Sequence, residues 1–409
     1  MNYLIDAPKT IRATVKLPAS KSISNRVLIL NALSRQESSI TNLAECDDTD
    51  VMVKALHSES DIVDIGAAGT AMRFLTAYYS MEPGERTLTG SERMKNRPIG
   101  LLVEALRSIG AKIDYKEKEG FPPLYISGRK LHGGEVTIAG NVSSQYISAL
   151  LMIAPMTEEG LRIHLQGEVV SKPYIHLTIE LMKQFGVDAH VEGQTINVPA
   201  NSYDARPFTV ESDWSAASYW YAMAAMDPKT EIELLGLFEK SLQGDSKGAE
   251  IFEKLGVSSR YEAEKVRLLP IYNKVEKRFE YDFSDQPDLV QTFAVTCAMM
   301  QLPFRFTGVE SLRIKETDRI KALQTELKKL GFVLRCDEES MEWNGEHCVA
   351  DASPLIETYE DHRMAMAFAC AATRRKGIRI HHPEVVSKSY PRFWDDLKSA
   401  GFRITEEND

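Results

Sequence analysis

The sequence predicts an α/β protein built as two pseudo-symmetric domains, and three observations carry that prediction. With 409 residues, 43% of them hydrophobic and 26% charged, the chain is too long for one ordinary domain and can bury two or three cores. One phrase, an amphipathic helix followed by a glycine or small residue and then a short strand, recurs along it. It reads EALRSIGAKI (104–113), ELMKQFGVDA (180–189), EIFEKLGVSS (250–259), ELKKLGFVL (326–334) and DDLKSAGFRI (395–404), with a weaker copy, VMVKALHSESDIVDIG, at 51–66. Third, the strong copies fall roughly 70 to 76 residues apart, more than the 20 to 50 of a solenoid, so compact domains of three copies each are expected.

Each glycine supplies a left-handed residue at which a helix stops and turns into a strand. Between the copies, the alternation of Ile11, Ala13, Val15 and Leu17 and the runs GLRIHLQG and GIRIHHPE read as strands. Chain crossings between the domains are expected at Pro18 to Ser20 and at Pro207 to Trp214.

Composition narrows the function. The formal net charge of −10 leaves no general basic face for nucleic acid or anionic lipid, so any anion site is a local pocket. Cys46, Cys297, Cys336, Cys348 and Cys370 are odd in number and scattered, without a CxxC pair, which argues against disulfides and zinc and for a reducing cytoplasm. The N-terminal MNYLIDAPKTIRATVKL lacks a signal-peptide core, and the longest apolar run, MAMAFACAA at 364–372, is too short to span a bilayer.

The chemistry-bearing motifs follow in chain order. PASKSISNR (18–26) sets Lys21, Ser22, Ser24 and Arg26 at a helix start; its Lys-Ser pair suggests a nucleotide P-loop, but the glycines of that motif are missing. GAAGTAMRFL (66–75) offers Gly66 and Gly69 for close backbone approach, with Arg73 a turn later. SERMKNRPIG (91–100) reads as a Gly/Pro-bounded loop carrying Arg93, Lys95 and Arg97. SSQY (143–146), VVSKPY (169–174) and DQPDLVQT (285–292) bring hydroxyls, Tyr174 and Asp288 to further helix starts.

RIKETDRIKALQTELKKLG (313–331) packs Arg313, Lys315, Glu316, Asp318 and Arg319 ahead of a helix striped by Ile320, Leu323, Leu327 and Leu330. EDHRMAMAFACAA (360–372) adds His362 and Arg363, and SKSYPRFW (387–394) adds Lys388; His362 has no second histidine at ligand spacing on its helix. Singly, each motif is what a capped helix or a solvated loop looks like. Together they repeat cations and hydroxyls at helix starts, where unpaired N–H groups favour anions. Convergence would give one pocket with Lys21, Arg26, Arg97, Lys315, Arg319, Arg363 and Lys388 against only Asp288 and Glu316, suited to several phosphates and carboxylates at once.

PASKSISNR, GAAGTAMR, RMKNRPIG, SSQY, VSKPY, KETDR and DHRMAM, in this order, closely resemble the enolpyruvyl transferase family, and within it the 5-enolpyruvylshikimate-3-phosphate synthases. The resemblance spans about residues 10 to 395 and implies a two-lobed fold of six βαβαββ-type units, three per lobe, helices inside and sheets outside. Residues 21–210 would form the middle lobe and residues 1–20 with 211–409 the second, the two crossings serving as a hinge. The implied reaction moves the enolpyruvyl group of phosphoenolpyruvate to the 5-hydroxyl of 3-phosphoshikimate on the way to chorismate, with neither metal nor organic cofactor.

By motif position, the resemblance places Lys21, Ser22, Arg26, Ser143, Ser144, Gln145, Ser171, Tyr174, Asp288, Ser311 and Lys315 around 3-phosphoshikimate. It places Lys21, Gly69, Arg97, Gln145, Arg319, Arg363 and Lys388 around phosphoenolpyruvate, and leaves Asp288, Glu316, Lys21 and Lys315 to handle protons. Expected partners are these two small molecules, without nucleic acid or membrane, in a cytoplasmic monomer. Two positions depart from the family pattern, Ala67 and Ser311, each usually Asn. A sister transferase acting on UDP-N-acetylglucosamine typically has a cysteine in the loop at 91–100, which is absent here. A non-catalytic anion-binding paralogue is the remaining alternative, against which stand the filled acid, base and cation positions.

Overall fold

The computed structural model describes residues 1–36, 38–141, 143–271 and 277–407. Five four-stranded sheets share one plan, strand–helix–strand–helix–hairpin. In the plainest example, Ile62–Asp64 leads through the helix Gly69–Met81 to Gly84–Thr89, which lies parallel to it. The helix Gly100–Ser108 then leads to Lys112–Tyr115 and Leu124–Gly128, whose second strand returns antiparallel to Gly84–Thr89. Gly134–Ala139 opens the next such unit and Phe279–Asp282 another.

The termini complete two of the sheets. Arg12–Lys16 pairs parallel with Glu231–Leu235, and Asn2–Asp6 is held antiparallel between Ile378–His381 and Arg403–Glu407. The sixth unit is shorter. Phe208–Thr209 pairs parallel with Ile40–Thr41, but no hairpin follows the helix Asp47–Leu56, which runs on to Ile62–Asp64 of the neighbouring sheet. The strand read as the end of the weak copy therefore opens the next unit, and the missing hairpin accounts for the short first interval.

The glycine stops form as expected. Gly110, Gly186, Gly256, Gly331 and Gly401 all sit at φ between 86° and 104°, where a side chain is disfavoured. At four of them the following N–H reaches back five residues to the helix, as in Ala111 to Leu106 and Phe332 to Leu327, both 3.0 Å, the bond of a Schellman stop.

Each unit uses two kinds of helix. The first is apolar all round and buried: Trp214–Met226, Val290–Met299 and His362–Cys370 pack together. The second, such as Arg319–Lys329, buries one stripe and exposes a charged face. Sheets alternate buried and open residues, as in Leu161–Gln166, so each covers helices with one face.

Contacts divide the chain into two compact units, Ser20–Val210 and Met1–Ala19 with Glu211–Asp409. In the second unit, Ala19 bridges Ser212 and the Asp213 N–H donates to the Pro18 carbonyl at 2.8 Å, so its two outgoing chain ends lie side by side. Among the described residues no helix is long and apolar enough to cross a membrane.

Candidate active site

In Ser20–Val210, one arginine organises three helices. Arg26, on Lys21–Leu33, is 2% exposed and donates to Thr178 Oγ1 (2.7 Å), Ser148 Oγ (3.1 Å), the Tyr174 carbonyl (3.4 Å) and the Ser22 carbonyl (2.9 Å). Thr178 and Tyr174 lie on Lys172–Gln184 and Ser148 on Ser144–Ile153, so the bonds draw together the starts carrying Lys21 and Ser22, Ser143 to Gln145, and Ser171 to Tyr174. All four acceptors are neutral, and Arg26 makes no ion pair among the described residues. Burial lowers its pKa to about 10, so it remains charged and uncompensated at neutral pH.

A second group forms around Gly69, first residue of Gly69–Met81. A Cβ built there would lie 2.5 Å from Arg97 Nη1, so only glycine lets the guanidinium rest against this helix start. Gln145 Nε2 donates to Thr70 Oγ1 at 3.0 Å, joining the Ser144–Ile153 start to the same place. Arg73 serves from behind, donating to the Gly69 and Pro98 carbonyls at 3.1 and 3.2 Å, and the Tyr146 hydroxyl also donates to Pro98. The Arg97 loop is thereby fixed; it contains a one-turn helix, Glu92–Lys95, capped by Ser91, where a plain loop was expected. Lys21 pairs with buried Asp48 at 3.0 Å, Ser143 caps its helix by accepting from the Gln145 N–H, and Ser171 sits at φ 55° ahead of Lys172–Gln184.

In the other unit the cluster is an ion network. Arg319, 1% exposed, donates through Nε to Asp361 Oδ2 (2.7 Å), through Nη1 to Asp288 Oδ1 (3.0 Å) and through Nη2 to Glu316 Oε2 (2.9 Å). Arg363 Nη2 donates to Asp288 Oδ2 at 2.8 Å, and Lys388 Nζ lies 3.2 Å from Glu316 Oε1. Asp318 caps Arg319–Lys329, accepting from the Lys321 N–H, and Asp361 caps His362–Cys370, accepting from the Arg363 N–H at 2.9 Å. Lys388 ends the 3₁₀ turn Pro383–Lys388 rather than starting a helix, and Ser311 lies in the 3₁₀ turn Glu310–Ile314.

Burial pushes the Asp288 carboxyl up, but Arg363, Lys315 and Arg319 outweigh it and hold Asp288 well below the usual carboxylate range. Burial works against the Arg319 charge, and Asp361, Glu316 and Asp288 more than restore it. Asp245, in the turn Gly244–Lys247, has the opposite character. It is 4% exposed, accepts from the Ser215 hydroxyl, and its Oδ1 has no hydrogen-bond partner among the described residues. Burial first, then the charge of Asp288, pushes its pKa up to about 7.

The expected excess of cations over two carboxylates needs correction. Asp361 joins Asp288 and Glu316 as a counter-charge to Arg319, Arg363 and Lys388, and Asp48 holds Lys21; Asp245, held up to about 7, brings little negative charge. A buried cation without an anionic partner costs several kcal/mol, and these carboxylates offset that cost for the cations they pair with. Among the described residues Arg26 and Arg97 form no ion pair, so the unbalanced positive charge belongs to them. Asp361 was discoverable, because an aspartate before the apolar run HRMAMAFACAA is a helix cap by pattern. Asp48 and Asp245 carry no comparable local signal.

A family model described as EPSP synthase (3-phosphoshikimate 1-carboxyvinyltransferase) matches residues 5–59 and 57–397. The chain belongs to the EPSP synthase family. It is similar to the 3-phosphoshikimate 1-carboxyvinyltransferase of Bacteroides fragilis strain YCH46, at 58% identity over 99% of each chain. It is also similar to that of Cellvibrio japonicus, at 40% identity over 97% of this chain and 98% of that protein. In fold it matches an EPSP synthase from Acinetobacter baumannii, with TM-score 0.78 at 22% identity, over 99% of this chain and 100% of the other. The α/β repeat fold expected above is thus the fold of this family.

Proposed function

We infer that this protein transfers the enolpyruvyl group of phosphoenolpyruvate to the 5-hydroxyl of 3-phosphoshikimate, releasing phosphate. One observation carries the reading: similarity along nearly the whole chain to relatives named for that reaction, two of them at 58% identity.

Chemically, the hydroxyl oxygen bonds to the enol carbon while the methylene takes a proton and becomes methyl. The C–O bond to phosphate then breaks as the methyl returns a proton, giving a new methylene. Asp288 takes the hydroxyl proton, and Glu316 with Lys315 handles the methylene proton. A carboxylate held as low as Asp288 is a weak base; anionic substrates that engage Arg363 and Arg319 relieve that hold and raise its basicity.

The substrates together bring two phosphates and two carboxylates. Arg26 with Ser22 suits the acceptor carboxylate, because it is charged, buried and without an ion pair among the described residues. Ser143, Ser144 and Ser171 hold the acceptor phosphate, with Tyr174 and Ser311 near the ring. Arg97, the Gly69 backbone, Lys21, Gln145, Arg319, Arg363 and Lys388 receive phosphoenolpyruvate. The protein acts as a monomer in the cytoplasm in this reading, and its five unpaired cysteines suit a reducing compartment. The test is acceptor choice: phosphate release from phosphoenolpyruvate with 3-phosphoshikimate and none with UDP-N-acetylglucosamine. The reverse outcome would assign the sister activity.

A further inference from the structure

The segment before Arg363 is strained in a way that the reaction roles above leave unexplained. Tyr359 and Glu360 lie at φ 54° and 56°, and the Asp361 N–H donates to the Thr358 carbonyl at 2.9 Å. A four-residue turn with both central residues at positive φ is built for Asn and Gly, and ordinary side chains are disfavoured at both positions. Here the two central residues are a tyrosine and a glutamate. Immediately after them come Asp361, which binds Arg319, and Arg363, which binds Asp288.

What holds the turn is a buried carboxylate outside the reaction cluster. Glu326 is 0% exposed and lies two turns beyond Arg319 on the same face of Arg319–Lys329. Its Oε1 accepts from the Tyr359 hydroxyl at 2.7 Å, and its Oε2 accepts from the Glu357 N–H at 3.0 Å and from Lys329 Nζ at 2.7 Å. Lys329 Nζ also donates to the Leu355 carbonyl at 2.8 Å. One helix thus carries Arg319 at its start and, near its end, grips the chain segment that delivers Asp361 and Arg363.

We propose that Glu326 and Tyr359 are positioning residues, a clamp that keeps the strained 358–361 turn in place and so sets Arg363 against Asp288 for donor binding. Strain persists only where surroundings over-determine it, and the Glu326 bonds are that surrounding. The proposal rests on the reading that Arg363 receives phosphoenolpyruvate.

The test is a pair of substitutions in the full chain. Tyr359→Phe removes one hydroxyl bound to a carboxylate, and the loss predicts a rise in KM for phosphoenolpyruvate of about tenfold, the lower end of what a bond to a charged group is worth. KM for 3-phosphoshikimate should stay within twofold. Adding Glu360→Gly, which removes half of the strain, should restore the phosphoenolpyruvate KM to within about twofold of the original. Tyr359→Phe that lowers only the melting temperature, or a double variant that fails to recover, would overturn the clamp. Wild-type protein inactive with both substrates would instead overturn the functional reading, and the two failures are separable.

Discussion

Asp245→Asn should stabilise the protein at alkaline pH and lose that advantage in acid. In the folded state the Asp245 carboxyl sits at about 7 against an ordinary value of 3.8. Between those values the folded protein keeps a proton that the unfolded chain has released, so the stabilisation is full below about pH 4 and falls as pH rises to about 7. A displacement of that size corresponds to roughly 4 kcal/mol at most, and water entry around the buried carboxylate should reduce this to about 2. Asparagine keeps an acceptor for Ser215 and never ionises. At pH 8 it should therefore be more stable than aspartate by about 2 kcal/mol, and near pH 4 the difference should vanish.

All four tryptophans, Trp214, Trp220, Trp343 and Trp394, belong to the same unit as Asp245, so urea unfolding followed by tryptophan fluorescence reports on it directly. A variant equally displaced from wild type at both pH values, or less stable at pH 8, would refute the reasoning that Asp245 is a destabilising buried charge.

Other outcomes follow from the same geometry. Arg319→Lys keeps the charge but cannot reproduce bonds to Asp361, Asp288 and Glu316 together, so stability should drop by about 2–4 kcal/mol and turnover by at least tenfold, read by urea unfolding and a phosphate assay. Gly69→Ala should leave stability within about 1 kcal/mol, because only the far end of Arg97 must move, yet raise KM for phosphoenolpyruvate by about tenfold.

The repeat was legible because it rests on local physics. Helix stripes and the left-handed stops at Gly110, Gly186, Gly256, Gly331 and Gly401 depend on residues close in sequence. The truncated sixth unit is not legible in the sequence because the IVD strand pairs with Thr87–Thr89, beyond the window in which its pattern is visible. In the site, the cations and their partners Asp288 and Glu316 show as clusters at helix starts, but Asp48, the counter-charge of Lys21, does not. Asp48, Asp245 and Glu326 acquire meaning only from tertiary partners, and each sits in a stretch that reads as an ordinary polar surface. Arg26 illustrates the converse: its position in PASKSISNR suggests a ligand, while its neutral surroundings, which make it an anion seeker, come from helices more than a hundred residues away.

The most direct measurement is turnover in deuterated water with product mass analysis. Purified protein given 3-phosphoshikimate and phosphoenolpyruvate should release one phosphate per enolpyruvyl ether formed. Because the methylene is protonated from an exchangeable group and deprotonated again, the ether should carry solvent deuterium in its vinyl group. Absence of ether and phosphate would contradict the assigned reaction, and ether formed without deuterium would contradict the proton-handling route through Glu316 and Lys315.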